Sequence, residues 1–401
     1  MLGLPLALLA GCLGQAANEP RFVGHSAEGP LVAAPLRKLA ADFAVQLGDA
    51  KVVGDRLVAL RRDGAALPTD TALPFVVLAN GERLPLASAA RLLLEDEQFR
   101  APLAPPIRTE PETLTLPQAT LHAICLAPPT GIDDVDLWLN QLDGESRKRD
   151  LVLLKNGDRV EGSIQKLDAE AGCRINLGEQ SATFPLNRIA LIAFNPEFQA
   201  RPKTNKPHAR IALRSGARFR ANSLVLEDGS LRCASAMAGK FTIPVDELVS
   251  LQMRQGKAIY LDDLKPTTYE ATAFLDLSWP LAAGRTQFGR SLRLGGDRFE
   301  SGLSLHSRSR ATYALGATDR WFEAIVGIDA FAGPRGAARI QVEVDGRAIP
   351  ETAKLVKAGE MPVVLRVDLR GGKTLSLIVD FGPLGDVQSH TIWADARIIR
   401  D

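Results

Sequence analysis

Aromatic residues are unevenly distributed along the chain. Six of its seven Trp and Tyr residues lie from position 260 onward, namely Tyr260, Tyr269, Trp279, Tyr313, Trp321 and Trp393. Sugar-binding surfaces need such rings, because the C–H face of a pyranose packs on an aromatic plane while its hydroxyl groups seek polar partners. Large aromatic residues also form the normal core of a β-sandwich. Trp279, followed by Pro280, is the candidate stacking platform, with a place in the core as the alternative.

Polar side chains that could accompany this platform lie in the same part of the chain. His306 and His390 could form hydrogen bonds with a sugar, or each could tie a loop to the backbone. Arg308 and Arg310 lie two residues apart on a predicted strand and share one face, which suits either a sugar or a solvated surface. These residue types predict a binding site.

Two aspartates suggest a metal ion as a further possibility. Asp329 and Asp386 end predicted strands before glycine-containing loops, positions that suit a turn or a calcium ion. Calcium takes about six to eight oxygen ligands, so further oxygens would have to converge on the same point. We therefore expect no obligatory cofactor, with Ca²⁺ as the one ion that the pattern permits.

The sequence contains no recognisable catalytic motif. His-Glu-x-x-His and Gly-x-Ser-x-Gly are absent, and no cysteine has the spacing of a zinc or redox site. Gly372-Lys373-Thr374 has Val367 where a phosphate-binding loop needs glycine, and it lies between two predicted strands. A glycosidase needs only two carboxylates, but no segment offers the roughly 250 residues of a catalytic barrel. The prediction is a protein without enzymatic activity.

Strand patterns dominate the last part of the chain. Apolar and polar residues alternate in part over 321–329, 338–344, 363–369 and 374–381, and glycine-containing turns separate these runs. No clear amphipathic helix interrupts them. This arrangement predicts an antiparallel β-sandwich over residues 258–401.

Three segments of this part resemble a family of carbohydrate-binding modules, NPCBM. The run from Phe299 to Ser309 is similar to the family's F-x-K-G-(L/I)-x-x-H-(S/A) core, and Phe322 to Asp329 is similar to its F-x-A-x-(V/I)-G-(I/V)-D strand. Gly385-Asp386, His390 and the run from Trp393 to Ala396 are similar to its closing signature. The resemblance covers roughly residues 260–400.

The resemblance implies a galactose-binding-like jelly roll that binds a glycan and often accompanies glycosidases. With the candidates above, it gives a predicted set of carbohydrate-binding residues, namely Trp279, His306, Arg308, Asp386, His390 and Trp393. The sequence departs from the family pattern at Ser301, Ser389 and Thr391. Ser389 replaces an aspartate, and serine cannot supply the charge with which a carboxylate holds hydroxyls or a cation.

The first two thirds of the chain contain an internal repeat. A mostly apolar run leads to Asn80-Gly81, and the pattern recurs at Asn156-Gly157 and Ser215-Gly216. Each pair predicts a tight hairpin, because Asn and Gly tolerate positive φ. Each copy then closes with a proline and an apolar strand, at Pro117, Pro185 and Pro244.

The repeats predict four small β units, over residues 20–66 (diverged), 72–130, 148–200 and 208–256, called the first to fourth units below. Such short units bury little core alone, so packing against one another would stabilise them. The predicted fold class is therefore all-β, with tandem small SH3-like or barrel-like units followed by a C-terminal jelly-roll sandwich. Cys125, Cys173 and Cys233 fall in separate units and are predicted to be small buried apolar residues.

The N-terminus resembles an export signal. Residues 1–17 contain a short apolar core that ends in Leu9-Ala10-Gly11-Cys12, which looks like a bacterial lipobox with Cys12 as the lipid-carrying residue. Cleavage by an ordinary signal peptidase near Ala16 is the alternative. The prediction is an exported protein, periplasmic or at the cell surface, which contacts the membrane only through the N-terminal anchor.

The formal net charge of +1 gives no reason to expect nucleic acid as a partner. The sequence thus predicts an exported, non-catalytic glycan-binding protein whose repeats act as a spacer. Its partner would be a glycan or polysaccharide, and other cell-envelope proteins could also bind. The alternatives are a structural or protein-interaction scaffold at the cell surface and, third, a glycan hydrolase.

Overall fold

The architecture is that of a computed structural model, which describes residues 19–68, 71, 73–128, 135–201, 206–272 and 278–401. The predicted signal segment 1–17, including Cys12, lies outside these residues. Strands form almost all of the regular structure. Within the described residues, no helix combines the length and the apolar character that a membrane crossing requires.

The first unit consists of five strands, with a short 3-10 turn at Gly54–Arg56 before the last of them. They are β1 (Arg21–Ser26), β2 (Gly29–Leu39), β3 (Val45–Leu47), β4 (Ala50–Val52) and β5 (Leu57–Arg62). The second unit contains β6 (Phe75–Leu78), β7 (Arg83–Pro85), β8 (Leu93–Glu95), β9 (Gln98–Pro102), β10 (Arg108–Thr109), β11 (Thr113–Pro117) and β12 (Leu121–Cys125).

The third and fourth units repeat this plan. The third contains β13 (Asp150–Leu154), β14 (Arg159–Asp168), β15 (Gly172–Asn176), β16 (Ser181–Phe184) and β17 (Ile189–Ala193). The fourth contains β18 (His208–Leu213), β19 (Arg218–Ala221), β20 (Ser223–Glu227), β21 (Ser230–Ser235), β22 (Gly239–Pro244) and β23 (Leu248–Arg254). One-turn 3-10 helices precede the closing strands β12, β17 and β23, at Gln118–Thr120, Leu186–Arg188 and Val245–Glu247.

Hairpins form where the sequence predicts them. β6 pairs with β7, β13 with β14 and β18 with β19, all antiparallel. The turn glycines adopt the positive φ values that the hairpins require, 85° at Gly81, 92° at Gly157 and 80° at Gly216. The predicted repeat of hairpins is therefore confirmed.

The units share their strands and their core. Nineteen strands, all from β1 to β23 except β10, β20, β21 and β22, form one continuous network, and those four form a separate sheet. The closing strand of the second unit pairs with that of the third, and the closing strand of the fourth pairs with that of the first. A single apolar cluster runs from Phe22 to Met253. The units thus stabilise one another, and the first unit pairs with the last.

A helix covers one face of this network. The helix α1 (Val135–Gly144) places Trp138, Leu139 and Leu142 against Phe75, Leu151 and other residues of β6, β12, β13 and β17. The apolar positions recur three and four residues apart, which gives the helix one buried stripe. The three cysteines of the repeats are unpaired and buried, which confirms the prediction that they act as small apolar residues.

The remaining strands build a two-sheet sandwich. One sheet contains β24 (Ala258–Tyr260), β26 (Ala282–Ala283), β29 (Gly302–His306), β31 (Asp319–Ile328), β35 (Val363–Asp368) and β37 (His390–Arg400). The other contains β25 (Thr268–Ala271), β30 (Ser309–Ala314), β32 (Ala337–Val344), β33 (Arg347–Ala348), β34 (Lys354–Lys357) and β36 (Thr374–Phe381). A separate hairpin pairs β27 (Leu292–Leu294) with β28 (Asp297–Phe299).

All pairings within the sandwich are antiparallel, and its apolar core includes Phe322, Leu377 and Trp393. Small β units followed by an antiparallel sandwich confirm the predicted fold class. The sandwich also contacts the repeats through buried polar groups. Arg254, at the end of β23, forms an ion pair with Asp262 at 3.0 Å, and Gln252 donates a hydrogen bond to Asp395 at 2.9 Å.

Candidate binding site

Four rings meet at one end of the sandwich and are called the ring cluster below. They are Trp279, Phe288, His306 and His390. The Trp279 ring centre lies 4.7 Å from that of His390, 5.5 Å from that of His306 and 5.5 Å from that of Phe288. The two histidine rings are 4.3 Å apart. The structure thus brings together three of the residues that the sequence proposes, and adds Phe288.

Neighbouring strands position the two histidines. His306 ends β29, His390 begins β37, and the two residues face each other in the antiparallel register of these strands. Trp279 lies in the segment before β26, where its carbonyl oxygen accepts a hydrogen bond of 2.7 Å from the Tyr269 hydroxyl. Two strands and one anchored segment therefore support the ring cluster.

The amide of Gln287 joins the two sides of the ring cluster. Its Nε2 donates to the carbonyl oxygen of Pro280 at 2.9 Å, and its Oε1 lies 2.7 Å from Nδ1 of His390. Because Oε1 can only accept, Nδ1 of His390 carries the proton in this contact. In the neutral ring Nε2 is then a hydrogen-bond acceptor.

The exposed fractions of the side chains divide the four rings into two at the surface and two buried below them. Phe288 is 41% exposed and Trp279 is half-buried, whereas His306 and His390 are each 5% exposed. A ligand would therefore contact the Trp279 and Phe288 rings first and would lie above the histidines. Flat rings beside polar nitrogens are the composition that recognises a sugar.

Burial keeps both histidines neutral. Desolvation, with the neighbouring His306 ring as a second cause, lowers the pKa of His390 to about 3. Desolvation also lowers the pKa of His306, although hydrogen bonding to the Ser307 carbonyl opposes this shift. Neutral rings of this kind can exchange hydrogen bonds with hydroxyl groups without attracting anions.

Ser389 lies beneath the ring cluster. It is fully buried, its hydroxyl donates to the carbonyl oxygen of Asp386 at 2.8 Å, and it also contacts the hydroxyl of Ser307. Its oxygen is 3.4 Å from Nε2 of His306. The family's aspartate would therefore lie below the surface at this position. The change to serine alters the support of His306 and does not remove a surface contact.

The structure places the remaining polar candidates apart from the rings or at their edge. Arg308 is exposed and pairs with Asp380 at 3.7 Å, and Arg310 pairs with Glu343 at 2.6 Å. Asp386 is half-buried in the loop before β37. Asp386 thus stays a candidate contact at the edge of the cluster, whereas the arginine side chains face acidic partners.

Trp393 requires a correction. It is fully buried in the sandwich core, with its ring centre 6.4 Å from that of Phe322. A side chain without exposed surface cannot contact a sugar, so the prediction of Trp393 as a binding residue is wrong. Its side chain points from β37 into the core between the two sheets, where it packs with residues of the opposite sheet such as Leu377.

The described residues include no cluster of metal-binding side chains that would support the calcium hypothesis. Asp329 is 1% exposed, and its Oδ1 accepts a hydrogen bond of 3.1 Å from the amide of Phe331. Its Oδ2 is buried without a hydrogen-bond partner, and burial raises the pKa of this carboxyl to about 6. In the described part of the chain, however, no group of three or more His, Cys, Asp or Glu residues could hold a metal ion. A calcium ion at Asp329 or Asp386 stays a prediction.

Sequence reasoning missed two members of the site, Phe288 and Gln287. Both lie in a short glycine-flanked loop that matches no quoted family motif. The one available signal is an aromatic residue between Gly284 and Gly289, in a segment without strand periodicity. Such a residue cannot join a regular core face, which makes it a candidate for exposure.

An antiparallel sandwich with an aromatic site at its loop end has the architecture of a carbohydrate-binding module. Residues 257–399 match the family model described as the NPCBM/NEW2 domain. This part of the chain is an NPCBM/NEW2 domain, which confirms the family resemblance that its motifs predict.

A curated relative matches part of the chain. It is a Renibacterium salmoninarum protein named "Putative endo-alpha-N-acetylgalactosaminidase", 31% identical over 111 residues, which are 28% of this chain and 7% of the relative. The present chain therefore corresponds to a small part of that protein, and the activity of the whole relative is not carried over with it.

Two solved structures match the chain with low similarity. The CBM51 module of Clostridium perfringens GH95, in complex with methyl-galactose, is 20% identical with a TM-score of 0.32, and the match covers 35% of this chain and 99% of that one. Tandem CBM51 modules of a family 98 glycoside hydrolase from Streptococcus pneumoniae are 12% identical with a TM-score of 0.32 and cover 92% of this chain and 89% of theirs. At these values neither structure defines a ligand for the present chain.

Proposed function

We propose that this chain binds a glycan non-covalently at the ring cluster. The observation that carries the proposal is the pairing of half-buried Trp279 and 41% exposed Phe288 above two neutral histidines. A pyranose would stack on Trp279 and contact the edge of Phe288. Its hydroxyl groups would reach Nε2 of His390 and the carboxylate of Asp386.

The site acts without catalysis. Glycosidases place two carboxyl groups about 5–10 Å apart, both open to the substrate. Among the described residues near the ring cluster, Asp386 is half-buried and could meet a ligand, whereas Asp329 is 1% exposed. Of these two aspartates only Asp386 could meet a ligand, which supports binding rather than hydrolysis.

The protein is exported and presents this site in the periplasm or at the cell surface. The signal-like segment 1–17 with Cys12 supports this part of the proposal. A glycan or polysaccharide of the cell envelope or its surroundings is the partner, and the near-neutral charge gives no support to nucleic acid.

A scaffold role is the second candidate function. Phe198, in the turn Pro196–Phe198, is 77% exposed and lies at a cleft of about 370 Å³ between the second and third units. Lys148 and Gln199 also line this cleft. An exposed aromatic residue beside polar groups suits a protein partner as well as a sugar.

A glycan-array screen of the full chain tests the proposal, with Trp279→Ala beside the wild type. Loss of stacking should weaken binding about tenfold or more, which corresponds to about 1.4 kcal/mol. Phe198→Ala removes the exposed ring of the second candidate site, and it should leave binding unchanged if the glycan stacks on Trp279. An array without any signal from folded protein would refute glycan binding and favour the scaffold role.

A further inference from the structure

Three arginines lie on one face of the fourth unit. In the antiparallel register of β18 and β19, Arg210 pairs directly with Arg220. Arg218 lies two residues before Arg220, so its side chain points to the same side of β19. Like charges directly opposite each other destabilise a strand pair. This face therefore requires negative charge close to the three arginines.

A cavity of about 80 Å³ lies at this face, where the fourth unit meets the second unit and the sandwich, and is called the junction cavity below. Besides the three arginines, its lining includes Glu82 of the second unit, Gln252 of β23 and Glu300 of the sandwich. A buried water needs roughly 10–15 Å³ of such space. The junction cavity can therefore hold a small ion together with water.

The two carboxylates of the junction cavity already have partners. Glu300 accepts a hydrogen bond from Nε of Arg218 at 2.8 Å. Glu82 is 3% exposed, and its Oε1 accepts from the Asn80 amide at 2.8 Å and from the backbone amide of Arg220 at 3.2 Å. Burial raises the pKa of Glu82, which favours its neutral form. These carboxylates therefore do not supply all the negative charge that the arginines require.

Guanidinium groups at the junction cavity retain donors without an acceptor. Nη1 of Arg218 is buried and has no hydrogen-bond partner among the described residues. In the described ranges, no residue forms a hydrogen bond or an ion pair with the side chain of Arg210. Desolvation, together with the charge of Arg254, lowers the pKa of Arg210. A cation that is withdrawn from water without a counter-ion destabilises the fold, so an anion beside it would be stabilising.

We propose that the junction cavity binds a small monovalent inorganic anion, of which chloride is the type, between Arg210 and Arg218. Three arginines and two glutamates line the cavity, so one added negative charge balances them, whereas a divalent anion would reverse the sign. Because Arg218 also pairs with Glu300 at 2.8 Å, the bound ion would strengthen the contact between the fourth unit and the sandwich. This site is separate from the ring cluster and does not depend on glycan binding.

Thermal unfolding of the full chain tests the proposal. Chloride is replaced stepwise by gluconate at constant ionic strength, because gluconate is too large for the junction cavity. A ligand that binds only the folded state raises Tm as its concentration increases. We expect an increase of about 2 °C between chloride-free buffer and about 200 mM chloride. Equal Tm values in the two salts would overturn the proposal.

Two variants assign the effect to the junction cavity. Arg210→Met removes the unbalanced charge, so its Tm should no longer depend on chloride and should be no lower than that of the wild type in gluconate. Arg214→Gln is the matched control, because Arg214 is exposed, directly follows β18 and does not line the cavity. Its Tm should keep the dependence on chloride. An effect of chloride that persists in Arg210→Met would place the anion elsewhere and refute this site.

Crystals of the wild-type chain grown in sodium bromide locate the ion without any substitution, which keeps the proposal testable if Arg210→Met folds poorly. Bromide has the same charge as chloride and scatters anomalously. We expect an anomalous peak in the junction cavity, within hydrogen-bond distance of guanidinium nitrogens of Arg210 and Arg218. A cavity that contains only water under these conditions would contradict the proposal. The glycan array is a separate measurement, so either result leaves the proposed function of the ring cluster unaffected.

Discussion

Arg254 offers a direct test of how the repeats support the sandwich. Its side chain is 2% exposed and pairs with Asp262 at 3.0 Å and with Asp263 at 2.7 Å. It also contacts the hydroxyl of Ser301, and its guanidinium lies 3.9 Å from the ring centre of Tyr260. Replacing it by methionine keeps an unbranched apolar stem, shorter than that of arginine, and removes every one of these polar contacts.

The loss of stability on this substitution follows from the aspartates that it leaves without their cation. Asp262 has a side chain that is 5% exposed, so it would become a buried charge without its cation. Removing one partner of a buried ion pair costs about 3–5 kcal/mol. Asp263 is 42% exposed, and its lost pairing adds at most about 1 kcal/mol. We therefore expect a destabilisation of about 4 kcal/mol, or a decrease in Tm of roughly 10 °C.

Thermal unfolding followed by calorimetry and tryptophan fluorescence measures this effect. Arg232→Met is the matched control, because Arg232 pairs with Glu227 at 3.1 Å while its side chain is 68% exposed. An exposed pair contributes little, so this variant should change Tm by no more than about 2 °C. If both variants melted at the same temperature, the inference that buried ion pairs hold the sandwich to the repeats would be wrong.

Two predictions concern pH. Burial would raise the pKa of Glu300 and Asp136, but Arg298 and neighbouring arginines lower each to about 2. Their stabilisation is complete above the unfolded pKa near 4 and is lost towards pH 2, so Tm should decrease over this window, and less steeply in Glu300→Gln. The pKa of His390 is about 3, so its ring stays neutral between pH 5 and 8. Titration calorimetry should therefore find constant affinity for a neutral glycan over this range. A change in affinity near pH 6 would contradict the prediction that the buried histidine rings are neutral.

Local features of the fold were predictable because their causes are local. A hairpin turn of this kind requires positive φ at its glycine. This requirement is visible in the sequence as the Asn-Gly or Ser-Gly pairs that contain Gly81, Gly157 and Gly216. The one-turn helices and closing strands that follow Pro117 and Pro185 likewise depend on a few adjacent residues. Each signal lies within one unit, so each could be identified from that unit alone.

The arrangement of the units was not predictable from the same signals. β12, β17 and β23 are buried along their whole length, so their patterns do not specify which strand pairs with which. The register of Leu60 with Leu251 and of Ile124 with Ile192 depends on contacts between distant parts of the chain. The ion pairs between the repeats and the sandwich could not be predicted for a related reason, because nothing in the sequence around Arg254 indicates that its side chain is buried.

For the candidate site, too, the residue types could be predicted from the sequence but their locations in the fold could not. Trp279 and Trp393 are equally suited to stacking as residue types, and only the position of each in the sandwich distinguishes them. Trp393 lies on a strand with neighbours on both sides, whereas Trp279 lies in an irregular segment at the edge. An aromatic residue outside a regular strand is the better candidate for a ligand contact, and Phe288 follows this rule.

The ring cluster and the contact between the sandwich and the repeats are connected by the same pair of strands. β29 and β37 carry His306 and His390 at one end. At the other, Ser301 directly precedes β29, Asp395 lies on β37, and Ser301 donates to Gln252 at 2.8 Å. Five residues separate the two ends on each segment, or roughly 17 Å along a strand. The repeats therefore hold the strands that support the ring cluster. This connection favours repeats that hold the sandwich in a fixed orientation, which would also fix the orientation of a bound glycan relative to the repeats.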